Sequence, residues 1–316
     1  MSASVLITGG LGYIGGRVAQ ALVVAGFQVR CGTRQSAVHA PKWLPDMHMV
    51  RLDWDSDDAL ERACRGVDSV VHLAAMNEIE SAQNPKGALQ MNAMATLRLL
   101  ETAKRVGIRR FVYFSTAHIY GAPLQGDISE TTLPRPVHPY AITHKTAEDF
   151  VLAAHDQRQI EGIVVRLSNG FGAPATASVD RWTLLVNDLC RQAVSTGALR
   201  LNSAGTQMRD FIPLADVATA TEHLLGLDTA RIDDGLFNLG SGASMPILTM
   251  TERVAERYRV LTGADIPIIR PDVSSGPVAT LHYRCDKLLA TGFQPRREVD
   301  REIDDTLQLC LLAFGQ

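Results

Sequence analysis

The chain has 316 residues, 46% of them apolar and 21% charged, which suits one large α/β domain or two domains sharing a core. A net charge of −3 gives nucleic acid or an anionic membrane no electrostatic reason to bind, and no apolar run reaches membrane-spanning length. The cysteines at positions 31, 64, 190, 285 and 310 show neither metal-ligand nor redox spacing, so no metal is expected. With no signal-peptide pattern at the start, they suit a reducing cytosol and a cytoplasmic location.

In chain order, SVLIT (4–8), FQVRCGT (27–33), MHMVRL (47–52), SVVHLA (69–74), RRFVYFS (109–115) and GIVVRL (162–167) read as strands. Their nearly continuous apolar character predicts burial on both faces. Helical patterns fall between them, over roughly 13–25, 57–65, 86–107 and 140–158. Strand alternating with helix predicts a parallel, doubly wound α/β sheet. Beyond Gly172 the order loosens to a helix near 181–195, a short strand around 198–201 and a further strand in LFNLGSG (236–242).

The first turn carries the most chemistry. In LITGGLGYIGG, Gly9, Gly12 and Gly15 stand between a strand and a helix. A sharp exit from the strand, close approach of backbone to a pyrophosphate and tight helix packing each exclude a Cβ. The helix N-terminus then offers free N–H groups to the phosphate. Tyr13 and Ile14, inside this series, are read as cofactor contacts with the glycines. At the end of the second strand, CGTRQS places Thr33, Arg34 and Ser36 where an acidic residue would select NAD. Arg34 either pairs with a 2′-phosphate, which favours NADP, or is a solvated loop arginine. Asp53 in RLDWD either accepts from an adenine amino group or caps a helix, and Trp54 beside it is read as a cofactor contact. Residues 1–172 are therefore expected to form a dinucleotide-binding Rossmann domain, with 211–240 returning to it. Residues 173–210 and 241–316 are expected to form a smaller α/β substrate-binding domain.

These motifs, with VVHLAA (70–75), MNAMATLRLL (91–100), FVYFSTAHIYG (111–121), YAITHKTAE (140–148), VVRLSNGFG (164–172), RDFIPLADVA (209–218) and FNLGSG (237–242), resemble the extended short-chain dehydrogenase/reductase family of sugar-nucleotide epimerases and dehydratases. The resemblance covers almost the whole chain. It implies that NADP(H) or NAD(H) lies along Leu73, Ala74 and Ala75, with Asn92 ordering the central sheet at the cofactor site. It makes Thr116 and Tyr140 catalytic. It places Asn77 and Asn169 against a nucleoside-diphosphate sugar, with Arg209, and more loosely Arg270, gripping the diphosphate. It also implies a homodimer through the helices at 86–107 and 140–158.

Two departures narrow the activity. Thr116 is followed by Ala117 and His118, where the dehydratases carry an Asp–Glu acid/base pair, so water elimination is excluded. The residue four after Tyr140 is His144, where the family has a lysine that holds the nicotinamide ribose and lowers the tyrosine pKa. Lys145 sits one place on, rotated by about 100° on a helix. His144 is read as a catalytic and cofactor-binding residue that positions the ribose in the lysine's place, but a neutral histidine would help less to form the phenolate that oxidation needs, while reduction needs only the phenol. Together His144 and Arg34 lean toward a 4-ketosugar-nucleotide reductase. A sugar-nucleotide 4-epimerase, a reductase of a non-nucleotide carbonyl compound and a non-catalytic NADP-binding regulatory protein are the alternatives.

Overall fold

The computed structural model describes residues 3–35, 39–272 and 279–315. Seven strands form the central sheet: β1 (Ser4–Thr8), β2 (Gln28–Thr33), β3 (His48–Arg51), β4 (Ser69–His72), β5 (Arg110–Thr116), β6 (Glu161–Leu167) and β7 (Leu236–Leu239). All neighbours are parallel, in the order β7-β6-β5-β4-β1-β2-β3. Connections run outward in opposite directions from β1 and β4, which leaves a crevice at their C-terminal ends where such sheets take ligands.

The apolar runs explain this sheet. Ile7, Val71, Val112 and Ile163 lie in register across four strands and join the core on one face. Leu6, Val70 and Phe111, each one residue earlier, join the core on the other face, as the two-residue period of a strand requires. Each such side chain contributes about 1.5–3 kcal/mol on burial. Helix α1 (Tyr13–Val24) and the helix Leu214–Gly226 cover the first face through Val18, Leu22 and Val217. The helices Asp57–Cys64, Ala95–Arg105 and Pro139–Asp156 cover the second through Leu60, Leu99 and Val151.

A third core lies under the helices Leu185–Thr196, Ile247–Thr262 and Val299–Phe314, built from Phe171, Trp182, Leu189, Val254 and Ile303. Leu288 and Phe293 pack instead with the central sheet, so the C-terminal residues serve both cores. One long-range clamp joins the layers. The Arg17 guanidinium on α1 donates to the Glu302 carboxylate (2.6 Å) and to the Ala173 carbonyl (2.8 Å), and Glu302 also accepts the Ala215 N–H (3.1 Å).

Two expectations need correction. The stretch 86–107 is not one α-helix: Pro85–Ala88 leads into a six-residue π-helical segment, Leu89–Met94, before Ala95–Arg105. The widened turn carries Asn92, whose side chain is occupied as described below. The helix expected near 181–195 begins only at Leu185; before it Trp182 is held inward, its indole N–H donating to the Ala177 carbonyl (3.1 Å). Ser36 lies outside the described residues. Among the described residues no helix is long and apolar enough to cross a membrane.

Candidate active site

Two adjoining cavities open at the C-terminal ends of β1, β4 and β5. The outer groove, about 670 Å³, is lined by Gly9, Gly12, Ile14, Arg34, Trp54 and the Leu73–Asn77 segment. The inner cavity, about 400 Å³, is lined by Thr116, Tyr140, His144, Asn169 and Arg209. Tyr13, Ile14, Leu73, Ala75, Tyr140 and Arg181 line both, so one extended ligand can run from the first into the second.

The glycine loop fits a closely approached pyrophosphate. Gly9 has φ +75°, and a Cβ there would lie 2.9 Å from the Ala74 nitrogen. At Gly15 a Cβ would meet the Gly9 carbonyl oxygen at 2.2 Å, so only glycine allows helix and strand to come this close. Gly12, the N-cap of helix α1, supplies no side-chain cap, and the first turn holds no acidic residue, which leaves its N–H groups to a ligand.

Other expected cofactor residues divide into those that face the groove and those that build its wall. Arg34 faces it. So does Trp54, whose buried indole N–H has no partner in the protein. Asp53 lines neither cavity, and its carboxylate accepts the Asp55 N–H (3.1 Å). It is not the helix cap either, since Ser56 fills that role for Asp57–Cys64. Asn92 is buried behind the groove. Its Oδ1 accepts the Met76 N–H (2.7 Å) and its Nδ2 donates to Thr143 Oγ1 (3.0 Å), so it ties the groove-lining segment to the helix that carries Tyr140. Tyr13 is buried, its hydroxyl donating to the Gly172 carbonyl (3.0 Å).

Thr116, the last residue of β5, and Tyr140, on the first turn of Pro139–Asp156, both line the inner cavity, and Thr116 Oγ1 accepts the His118 N–H (3.2 Å). Burial pushes the Tyr140 phenol well above its usual range; Glu78 adds to this, and Arg181 and Thr116 partly oppose it. One turn on, His144 packs edge-on against the Tyr140 ring, with centroids 4.4 Å apart. Burial lowers the His144 pKa to about 4, so the ring is neutral near pH 7. Lys145 points away and pairs with Asp149.

Of the expected substrate residues, Asn169 and Arg209 meet in the inner cavity because Asn169–Phe171 and Phe211–Pro213 pair as parallel strands. Asn169 Nδ2 donates to the Asp210 carbonyl (2.9 Å). Arg209 makes no ion pair among the described residues, and burial lowers its pKa. Asn77 lies in the outer groove, where its Oδ1 caps the helix Glu78–Gln83 by accepting two N–H bonds of 3.0 Å. Arg270 lines neither cavity; it is exposed and donates to the Ala204 carbonyl (2.9 Å). The structure therefore does not bring Arg270 to the site.

Sequence reasoning missed the ion pair Glu78–Arg181 (3.3 Å) at the junction of the cavities. Its members are 103 residues apart, and no local pattern distinguishes them from solvated charges. His118 also lines the inner cavity, its pKa lowered by burial.

Known proteins share this architecture. The chain is 31% identical to the UDP-glucose 4-epimerase of Streptomyces lividans over 320 aligned positions, covering 94% of this chain and 93% of that one. The UDP-N-acetylglucosamine 4-epimerase of Methanobrevibacter ruminantium M1, solved with UDP-N-acetylmuramic acid, superposes with a TM-score of 0.83 at 24% identity, over 99% of this chain and 100% of that one. MoeE5, solved with UDP-glucuronic acid and NAD, superposes with a TM-score of 0.79 at 25% identity, over 98% and 100%. The sequence profile of one family matches residues 5–240. With the glycine loop, the Thr116–Tyr140 pair and the switch-point crevice in place, the chain belongs to the NAD dependent epimerase/dehydratase family.

Proposed function

We propose that this protein is an NAD(P)-dependent oxidoreductase acting at C4 of a nucleoside-diphosphate sugar, and that it works chiefly as a 4-ketosugar-nucleotide reductase. The carrying observation is the packing of a buried His144, where the family has a lysine, edge-on against the ring of the half-buried Tyr140, with burial lowering the His144 pKa and raising that of Tyr140. The outer groove would hold the dinucleotide, with its phosphates at Gly9, Gly12 and Gly15 and its adenine end near Trp54 and Arg34. When bound, the nicotinamide supplies or accepts the hydride. Tyr140 holds the proton that a ketone oxygen takes up, and Thr116 shares the bond to that oxygen. Arg209 binds the diphosphate as a fork of N–H donors, which suits two oxygens at once. Asn169 lies beside it.

A neutral His144 favours reduction. A lysine ammonium about 4 Å from the phenol would stabilise phenolate by roughly 4 kcal/mol at an effective dielectric of 20. His144 offers no such charge, so the protein keeps the acid form of Tyr140. A second reading, a sugar-nucleotide 4-epimerase, is favoured by the relatives themselves, which carry that name. Incubation with UDP-4-ketosugar and NADPH tests the choice. Stoichiometric cofactor oxidation supports the reductase. Interconversion of UDP-glucose and UDP-galactose on cofactor that stays bound through purification, without net oxidation, overturns it.

Arg34 and the absence of an acidic side chain at the end of β2 favour NADP(H). A phosphate–arginine pair contributes about 1.5–3 kcal/mol, or roughly 10- to 150-fold in affinity. Calorimetry should find NADPH bound tighter than NADH by that factor, with Arg34→Ala removing most of the difference. Equal constants in the wild type would refute the preference.

The same reading includes a homodimer. Leu89, Met94, Ile142 and Phe150 are 52%, 48%, 46% and 41% exposed on the two helical segments that family members commonly pair. Light scattering should give twice the chain mass at micromolar concentration, and Phe150→Glu should halve it. A wild-type monomer would count against the dimer.

A further inference from the structure

We propose that Tyr113, a mid-strand residue of β5, is a positioning residue that fixes His144 as a neutral N–H donor facing the cofactor. The inference rests on the nucleotide-sugar reading of this cavity and deepens it. Tyr113 is 2% exposed. Its hydroxyl lies 2.7 Å from His144 Nδ1, with the two rings stacked at 5.8 Å, and it has no other hydrogen-bond partner among the described residues. The bond can have either sense, but the surroundings select one. If Nδ1 carried the proton, the Tyr113 oxygen would accept it, and the Tyr113 hydroxyl hydrogen would be buried with nothing to bond. If Tyr113 donates, both atoms of that contact are satisfied, and the Nε2–H is the one polar group of the pair left without a partner in the protein. Nδ1 is then bare and the proton sits on Nε2.

His144 Nε2 is buried, without a partner in the protein, on a ring that lines the inner cavity with Thr116 and Tyr140. It is the one ring atom left for a ligand. As an N–H donor it suits an oxygen acceptor, such as a ribose hydroxyl at the nicotinamide end of the dinucleotide. A lysine at this place needs no such help, since an ammonium donates in every direction. An imidazole donates from one nitrogen only, and which one depends on what the other nitrogen meets. A neighbouring histidine is fixed in the same way. Thr96 donates to the Asn92 carbonyl (2.6 Å), so His72 Nε2 must donate to Thr96 (2.8 Å), and its Nδ1 accepts from Thr8 (2.5 Å).

The test joins a spectroscopic signature to a double-mutant cycle. Nitrogen-15 spectra of histidine-labelled protein, with His144 assigned by its loss in His144→Gln, should show a protonated Nε2 and a bare Nδ1. In Tyr113→Phe the signal should move toward the other tautomer. Calorimetric affinity for NADPH should fall roughly 2- to 10-fold in Tyr113→Phe, the worth of one net hydrogen bond. In a His144→Lys background the same Tyr113→Phe change should have no effect on affinity. A proton on Nδ1 in the wild type overturns the proposal. So does an equal affinity loss in the lysine background, which would mark Tyr113 as a packing residue. Should the wild type bind no NAD(P)H, the functional reading fails, and the tautomer signal still decides the role of Tyr113.

Discussion

Tyr140→Phe is expected to lower turnover by roughly 10²–10⁴-fold while cofactor affinity stays within a few-fold. The variant removes one oxygen atom and the proton it carries, and leaves the ring packed on His144. A fall of less than tenfold would mean that the proton comes from elsewhere, with His118 and Glu78 among the other titratable groups lining the cavity. The pH dependence follows from the direction of the Tyr140 shift. Burial raises its pKa, so the acid form persists well above neutrality. The reductive rate should be flat near pH 7, and the oxidative rate should climb with pH throughout the accessible range. His144→Lys places an ammonium beside the phenol and should move the oxidative profile to lower pH, by up to about three units if the charges lie about 4 Å apart at an effective dielectric of 20. Initial rates against pH in both directions check this. An unmoved profile would show that His144 already carries a charge, and the case for a reductase over an epimerase would lose its physical basis.

Breaking one buried ion pair should have the largest effect on stability. Glu148, two turns after Tyr140 on the same helix, meets Arg166 of β6 at 2.8 Å, with side chains 0% and 3% exposed. Arg166 also donates to the Tyr120 hydroxyl (2.9 Å), which donates to Asn238 Oδ1 (2.7 Å). Glu148→Gln leaves the guanidinium without its counter-charge, and Arg166→Met strands the carboxylate. Each should cost about 3–5 kcal/mol, the usual penalty for a lone buried charge. The double variant Glu148→Leu with Arg166→Met should cost less than the sum of the single changes, because it removes both charges. Urea unfolding measures all of them. A cost below about 1 kcal/mol for Glu148→Gln would show that water reaches the pair.

The strands and the glycine loop were legible because their causes are local. A segment buried on both faces is mostly apolar, so β1, β5 and β6 are bounded to within a residue or two by composition, even with buried arginines such as Arg110 and Arg166 inside them. The glycine series reports a close backbone approach at the residues where it occurs. The π-helical turn at Leu89–Met94 left no such mark, since its residues would suit an α-helix equally well. What it carries is the bonding of Asn92 to Met76 and Thr143, which only the folded chain brings near. Tyr113 read as one more buried strand residue. Its partner His144 is 31 residues away, and the significance of a buried hydroxyl depends on what it faces. Arg270 failed for the reverse reason: a residue type suited to diphosphate was assigned without the strand pairing that would carry it to the cavity, whereas Arg209 has that pairing.

The clamp between Arg17 and Glu302 bears on the order in which the cradle is completed. Its two ends are 285 residues apart. In an otherwise unstructured chain, closing a loop of that length costs about 5 kcal/mol beyond a constant, from the three-halves RT ln n relation. The bond therefore forms only after the intervening strands and helices have drawn its ends together. The turn between β1 and α1 can form early from neighbouring residues, and Val18, Leu22 and the Ala173 carbonyl can hold α1 before Glu302 arrives, but its ion pair forms only then. On a ribosome, Arg17 emerges long before Glu302 is synthesised. Through most of translation a nascent chain would present a phosphate loop on a helix that lacks its ion pair, and a dinucleotide encountered in that interval would meet a seat short of its last tie.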